Sequence, residues 1–325
     1  MRTTKERVLA LLGAGTQCSG ASISRTLGVS RAAVWQAVEA LRAEGYEIEA
    51  RTRLGYRLLT RPDLPTPEEI RRFRSAETAD LPITYHTRVD STNRAARQWA
   101  LAGAPHGAAV VAEEQTAGRG RFGRAFFAPP GAGLYLSLIL RPDWPPERLP
   151  LLTISAAVAA CDAVAAVAGC RPHIKWINDL LMGGRKLAGI LTELSLEGES
   201  GRVDSAVVGI GLNCHAVPFP EDFAAKATSL EAELGRRVCR AQLAAALLDR
   251  FLDMAGHGRS ARCADDLVRY RADCVTPGRR ILVSSPAGTR PGQALAVTDT
   301  GALAVRFDDG HTENLQSGEV SLHGG

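Results

Sequence analysis

The stretch Glu113–Leu140, EEQTAGRGRFGRAFFAPPGAGLYLSLIL, decides between two folds. Gly118, Gly120 and Gly123 fit G-x-G-x-x-G, a turn that holds a pyrophosphate where a strand enters and a helix leaves. A strand-like run, AAVVA (Ala108–Ala112), does enter. What leaves is two aromatics, Pro129-Pro130, two more glycines and a second strand-like run, LYLSLIL, and this order excludes the helix. The residues therefore predict hairpin-linked strands of an α+β fold and not a doubly wound parallel sheet. Three arginines, Arg119, Arg121 and Arg124, crowd into the same loop.

The runs on either side agree with a mixed sheet. VDSTNRAARQWALAG begins a helix at Ser91 or Thr92, and PHIKWINDLLMGGRKLAGILTELSL reads as paired strands turning at Gly183-Gly184. VDSAVVGIGLNC is a strand buried on both faces over Ala206–Leu212, and RAQLAAALLDRFLDM is an amphipathic helix. From about Cys274 onward, short alternating runs separated by turn signals predict a small β-barrel. The most apolar segment, LLTISAAVAACDAVAAVAG, carries Asp162 in its middle and reads as a core helix.

The N-terminal region differs in charge. Residues 1–62 hold ten Lys/Arg against five Asp/Glu, a surplus larger than the +4 of the whole 325-residue chain. Thr3 and Glu6 have capping-box spacing, Gly28 ends a second helix, and Ser30 caps a third, in which Val34, Ala37, Val38 and Leu41 form one apolar stripe. Arg31, Trp35, Gln36, Glu39 and Arg42 point outward from that third helix, and a hairpin around Arg53-Leu54-Gly55 follows. This is a winged helix-turn-helix with a basic wing, an arrangement suited to DNA. Its expected DNA contacts are Ser30, Arg31, Trp35, Gln36, Arg51 and Arg53. Three prolines between Pro62 and Pro67 read as a linker. The expected division is 1–62 winged helix-turn-helix, 63–80 linker, 81–272 catalytic domain and 273–325 barrel.

Several chemistries lack their signatures. The seven cysteines form no C-x-x-C pair, and no H-E-x-x-H, G-x-S-x-G or P-loop occurs. Arginine forks and glycine amides suit phosphate, yet the Gly-Arg loop alone suits a solvated loop or an RNA contact equally well. The lysines sharpen the reading. The chain has four lysines against thirty-five arginines, and Lys175 and Lys186 share one hairpin-like unit with Asn178 and Asp179. Compact ammonium groups beside an amide and a carboxylate suit a nucleotide with Mg²⁺.

EEQTAGRGRFGR, KWINDLL, RKLAGILTEL, VVGIGLN and the preceding STN together resemble the biotin protein ligases. LGVSRAAV and GYRLL are similar to the bifunctional bacterial type, which is also the biotin operon repressor. The resemblance implies a ligase domain of class II synthetase-like fold and an SH3-like C-terminal barrel. It implies the ATP-dependent formation of biotinoyl-5′-AMP and transfer of biotin to a lysine of the biotin carboxyl carrier protein. It also implies a homodimer on operator DNA when the adenylate is bound. The N-terminal stretch, with Glu6 among its basic residues and only a short apolar run, reads as a helix of a folded domain and not a secretory signal, so a cytoplasmic protein is expected. By the motif match, Ser91, Thr92, Asn93, Gln115, Gly118, Arg119, Gly120, Arg121, Lys186, Gly189, Ile190 and Gly209 surround biotin. Arg121, Arg124, Phe126, Lys175, Asn178, Asp179 and Asn213 face ATP, with Asp179 considered for Mg²⁺. Lys186, Arg121, Arg124 and Lys175 are the expected catalytic cations. Phe122, Ile177, Phe126 and His323 depart from the family pattern of arginine, proline, tryptophan and arginine. The alternatives are a ligand-sensing repressor without catalysis and a lipoate ligase.

Overall fold

The computed structural model describes residues 3–13, 15, 17–141, 150–196, 203–255, 260–285 and 288–322. These fall into two compact units, Met1–Leu64 and Pro65–Gly325.

The first unit contains α1 (Thr4–Leu12), α2 (Gly20–Leu27) and α3 (Arg31–Ala43), then the antiparallel pair β1 (Glu47–Arg51) and β2 (Gly55–Thr60). Each helix starts where a hydroxyl can take an otherwise unpaired amide: Thr3, Ser19 and Ser30 accept from Glu6, Ser22 and Ala33. Gly28 ends α2 at φ 66°, a conformation that disfavours a side chain. The stripe of Val34, Ala37, Val38 and Leu41 is buried against Val8, Leu12 and Ile23. Arg42, expected to point outward, instead donates to the Ile48 carbonyl and pairs with Glu39 at 2.8 Å, tying α3 to the wing.

In the second unit, α4 (Pro67–Arg71) starts within the run read as a linker; it buries Ile70 and packs on α9 (Arg240–Ala255). Proline at the first helical turn is compatible with a helix, because the amide it lacks would have no partner there.

The central sheet has seven strands in the order β3-β4-β5-β9-β8-β7-β6. They are β3 (Ile83–His86), β4 (Ala109–Ala112), β5 (Gly133–Leu140), β6 (His173–Lys175), β7 (Asp179–Met182), β8 (Arg185–Leu196) and β9 (Val203–Asn213). Only β3 and β4 run parallel, so the sheet is mixed, as the hairpin links predict.

The period-2 alternation of these strands sorts two faces. Leu134, Leu136, Leu138 and Leu140 of β5, with Val208, Ile210 and Leu212 of β9, join the main core with α6 (Pro150–Ala168) and α9. On the other face Ile139 and Val207 pack under α5 (Thr92–Leu101), beside Ala96 and Ala100. Further along that face the strands carry Gly189, Leu191, Gly209 and Gly211, and the sheet is nearly bare. Leu151–Ala168 is long and apolar enough to cross a membrane, but it lies in the core. Asp162 is held within it by Arg171 at 2.7 Å and by Arg269.

The C-terminal strands β10 (Arg280–Ser285), β11 (Gly288–Val297), β12 (Leu303–Phe307), β13 (Thr312–Leu315) and β14 (Glu319–Leu322) form an antiparallel sheet in the order β13-β12-β11-β10-β14. Its apolar residues, among them Ile281, Val283, Leu303 and Val320, belong to the same core cluster as the central sheet. Trp176 joins the two: its indole donates to the Gly301 carbonyl at 3.0 Å, and its amide donates to Thr276 Oγ1 at 2.9 Å. Trp176→Phe strands that buried carbonyl, so the expected loss is about 1–3 kcal/mol. The measurement is the urea midpoint; an unchanged midpoint removes the indole from the join.

Candidate functional site

A cavity of about 800 Å³ opens over the bare face of the central sheet. Its floor is backbone. Gly189 and Gly211 are paired across β8 and β9, and Gly209 lies opposite Leu191. A Cβ on Gly211 would stand 2.5 Å from the Phe126 ring, and one on Gly209 would stand 2.0 Å from Asn93 Oδ1. Glycine is required at both because the Phe126 ring and the Asn93 amide occupy the space a Cβ would fill.

One end of the cavity is polar and neutral. The Thr92 amide and hydroxyl, at the start of α5, both donate to Gln115 Oε1, at 2.8 and 3.0 Å. With that oxygen used twice, the Gln115 amide nitrogen is left to donate to a ligand acceptor. Ser137, fully buried on β5, lies 2.8 Å from Thr92 Oγ1 and 2.7 Å from Asn93 Oδ1. Asn93 in turn donates to the Leu191 carbonyl and to Glu193, so its amide is committed to fixing α5 on β8.

The other end is cationic. The hairpin of β7 and β8 turns at Gly183 and Gly184, both at positive φ, and this brings Lys186 back beside Asp179. Lys186 Nζ lies 2.6 Å from Asp179 Oδ1, and Lys175 Nζ lies 3.9 Å from Oδ2. Burial lowers the Lys175 pKa; the neighbouring Lys186 charge acts in the same direction, and Asp179 opposes both. Lys226 lines the same cavity, so three of the chain's four lysines meet here.

The Gly-Arg segment forms the third wall as a narrow hairpin. Its rungs are Gln115 N to Ala128 O, Phe126 N to Gly118 O, and Gly120 N to Arg124 O, at 3.0, 2.9 and 2.7 Å. Arg121–Gly123 turns its tip, with Phe122 at φ 56° and 66% exposed. Arg121 donates to Asn178 Oδ1 at 3.2 Å, and burial lowers its pKa. Arg124 pairs with Glu319 of β14 at 2.5 Å, which brings the C-terminal sheet to the cavity mouth.

Most residues expected at the site are thus brought together around this cavity: Ser91, Thr92, Asn93, Gln115, Arg119, Gly120, Arg121, Arg124, Phe126, Lys175, Asn178, Asp179, Lys186, Gly189, Ile190 and Gly209. Gly118 and Asn213 are not part of the lining. A Cβ on Gly118 would meet the Phe126 carbonyl at 2.7 Å, so Gly118 closes the hairpin; Asn213 donates to the Thr228 carbonyl at 2.9 Å. Both act one layer behind the cavity. Asp179, considered for Mg²⁺, has its oxygens facing two ammonium groups, and the described residues contain no cluster of three or more metal-ligating side chains. The donors do not fit a resident metal. Ile177 is buried, and its carbonyl accepts from Tyr270 Oη at 3.1 Å. His323 lies outside the described residues.

Sequence reasoning missed Ser137, Lys226 and Glu319. The rarity of lysine was a signal for Lys226; nothing local marked the other two.

In the first unit Trp35 is 56% exposed, and Arg31 and Gln36 are also exposed on α3. The Ser30 hydroxyl is engaged by the Ala33 amide. Arg53 stands at the wing turn at φ 69°, and Arg51 pairs with Glu49 at 3.0 Å.

Comparison with known proteins identifies the family of the chain. Residues 85–213 match the biotin/lipoate A/B protein ligase family, and residues 4–57 match a helix-turn-helix domain family. The chain is 38% identical over 310 residues to the bifunctional ligase/repressor BirA of Bacillus subtilis, covering 94% of this chain and 93% of that protein. The chain belongs to the biotin protein ligase family. It is also 34% identical over 212 residues to the Escherichia coli bifunctional ligase/repressor BirA. Its fold is similar to the Aquifex aeolicus biotin protein ligase solved in complex with biotin and ATP, with a TM-score of 0.64, 26% identity, and coverage of 74% of this chain and 98% of that one.

In this family member the bare sheet face has a testable consequence. Gly209→Ala forces Asn93 from its place, so the expected loss is about 1–3 kcal/mol, the usual cost of overpacking. Thermal or urea denaturation measures it, and unchanged stability would show that Asn93 moves freely.

Proposed function

We propose that this chain joins biotin to ATP as biotinoyl-5′-AMP and passes the biotinoyl group to one lysine of a carboxyl carrier protein. The observation that carries this reading is the layout of the cavity, with a neutral end where Thr92 orients Gln115 and a cluster of cations at Lys175, Lys186 and Arg121 at the other. A biotin carboxylate and the ATP α-phosphate are both anionic, and negative charge grows as the carboxylate oxygen attacks phosphorus and pyrophosphate leaves. Preorganised positive charge is therefore the main catalytic need, and no protein nucleophile is required.

In this reading Lys186 leaves Asp179 to neutralise the carboxylate and the forming acyl phosphate, while Arg121, Arg124 and Lys175 face the phosphates. Phe126 offers a face to adenine, and Asn178 and Asp179 flank the nucleotide. Mg²⁺ arrives with ATP as part of the substrate. The Gln115 amide nitrogen, left to donate, suits the ureido carbonyl of biotin; lipoate has no such acceptor and leaves that donor unpaired. The carrier lysine then attacks the acyl carbonyl and AMP departs.

The helix-turn-helix supports a second role as a DNA-binding repressor. We take the adenylate-bound protein to act as a homodimer on a palindromic operator in the cytoplasm, with Trp35 and Gln36 at base edges and Arg31, Arg51 and Arg53 at phosphates.

Pyrophosphate release from Mg-ATP, with biotin and with lipoate, tests the ligase reading; release with lipoate alone overturns it. Lys186→Ala is expected to lower adenylate formation by roughly two orders of magnitude, the scale for losing a preorganised charge. Near-normal single-turnover adenylation would refute its role. Because Lys175 has a lowered pKa, its ammonium loses its proton at a lower pH than an exposed lysine. The alkaline fall in kcat/KM for ATP should begin correspondingly early. Lys175→Arg keeps its charge and should move that fall to higher pH; an unmoved limb assigns the titration to another group.

A further inference from the structure

The Gly-Arg hairpin carries four groups of the cavity, Gln115, Arg119, Arg121 and Arg124, on one arm whose tip is exposed. What aims this arm lies at its stem, outside the cavity. We infer that Glu113 and Arg240 form a buried clamp across the stem of the hairpin, and that retention of the bound adenylate depends on it. The functional half of this inference rests on the ligase reading above.

Glu113 follows β4 directly, at the entry to the hairpin, and Gly131 and Gly133 stand at its exit. Glu113 Oε1 accepts from the Gly131 amide at 2.8 Å and from Arg240 Nη2 at 3.0 Å. Arg240 Nη1 donates to the Gly133 carbonyl at 3.1 Å, so one guanidinium holds both ends of the hairpin. Tyr85 Oη, on β3, lies 3.4 Å from Glu113 Oε2. The His215 ring lies 2.9 Å from the Gly131 carbonyl and 3.2 Å from that of Val238, just before α9. Glycine is needed at this exit: Gly131 has φ 74°, and a Cβ on Gly133 would meet the Leu212 carbonyl at 2.7 Å.

Arg240 is 2% exposed, and the Glu113 side chain is 13% exposed. Neither lines the cavity. Both are positioning residues. Losing the charge, or the two-ended grip, weakens the tie between the entry and the exit of the hairpin, so the stem is expected to loosen. Any change in its angle moves three arginines relative to Lys175, Asp179 and Lys186, which sit on β6, β7 and β8.

The test uses the full-length protein with Glu113→Gln and Arg240→Lys. Glu113→Gln keeps the volume and an acceptor for Gly131 but loses the charge; Arg240→Lys keeps the charge but cannot grip both ends. Amide hydrogen exchange in residues 116–127 is read without ligands, and adenylate release is read after single-turnover loading with biotin and Mg-ATP. Expected are faster exchange confined to the hairpin and adenylate release at least about tenfold faster, with a milder effect for Arg240→Lys. A merely structural pair would lower the denaturation midpoint and leave hairpin exchange and adenylate release at wild-type values; that result overturns the clamp. If Arg240→Lys does not fold, Glu113→Gln decides alone. Failure of the wild type to form adenylate removes the ligase reading, while hairpin exchange still judges the clamp.

Discussion

The bare face of the central sheet is the constraint on which the rest depends. Between α5 and the β7–β8 turn the strands present Gly189, Gly209 and Gly211 where other positions carry branched aliphatics. Removing those side chains forgoes burial worth about 1.5–3 kcal/mol each. What is gained is a backbone floor on which Asn93, the Phe126 ring and a flat ligand can lie. The opposite face, filled by α6 and α9, supplies the packing that keeps the strands in place despite this gap.

On that floor the charges are held before any ligand is present. Asp179 keeps two lysines close together that would otherwise repel, and the hairpin turn at Gly183-Gly184 sets their spacing. A charge positioned by folding need not be reorganised when an anion arrives beside it. Lysine and arginine divide the work by shape. The compact ammonium groups of Lys175 and Lys186 cluster at one point of the sheet, while the planar arginine forks ride on the Gly-Arg hairpin. Glu319 holds Arg124 from the C-terminal sheet, so a strand far away in sequence helps set the arginine arm.

Much of this was legible in the chain. The stripe on α3, its capping serine, the glycine turn of β7–β8 and the alternation of the strands are local patterns, and local geometry dictates them. The rarity of lysine made Lys175 and Lys186 conspicuous. The Gly-Arg stretch read correctly as strand, loop and strand once Pro129-Pro130 excluded a helix. The linker reading missed α4 because prolines suit a first helical turn as well as a loop, and burial of Ile70 depends on α9, some 170 residues later.

The chain alone carries most of its elements, α4 excepted, together with the mixed sheet and the kinds of chemical group available. Backbone dihedrals and side-chain periodicity act over a few residues, so those features are written locally. Only the tertiary structure decided which groups meet. It brought Ser137 beneath Thr92, Lys226 and Glu319 to the cavity, and Arg240 to Glu113, and it withdrew Gly118 and Asn213 to the layer behind. These meetings join residues up to about two hundred positions apart, and their energy comes from burial and charge pairing, which exist only once the core has closed.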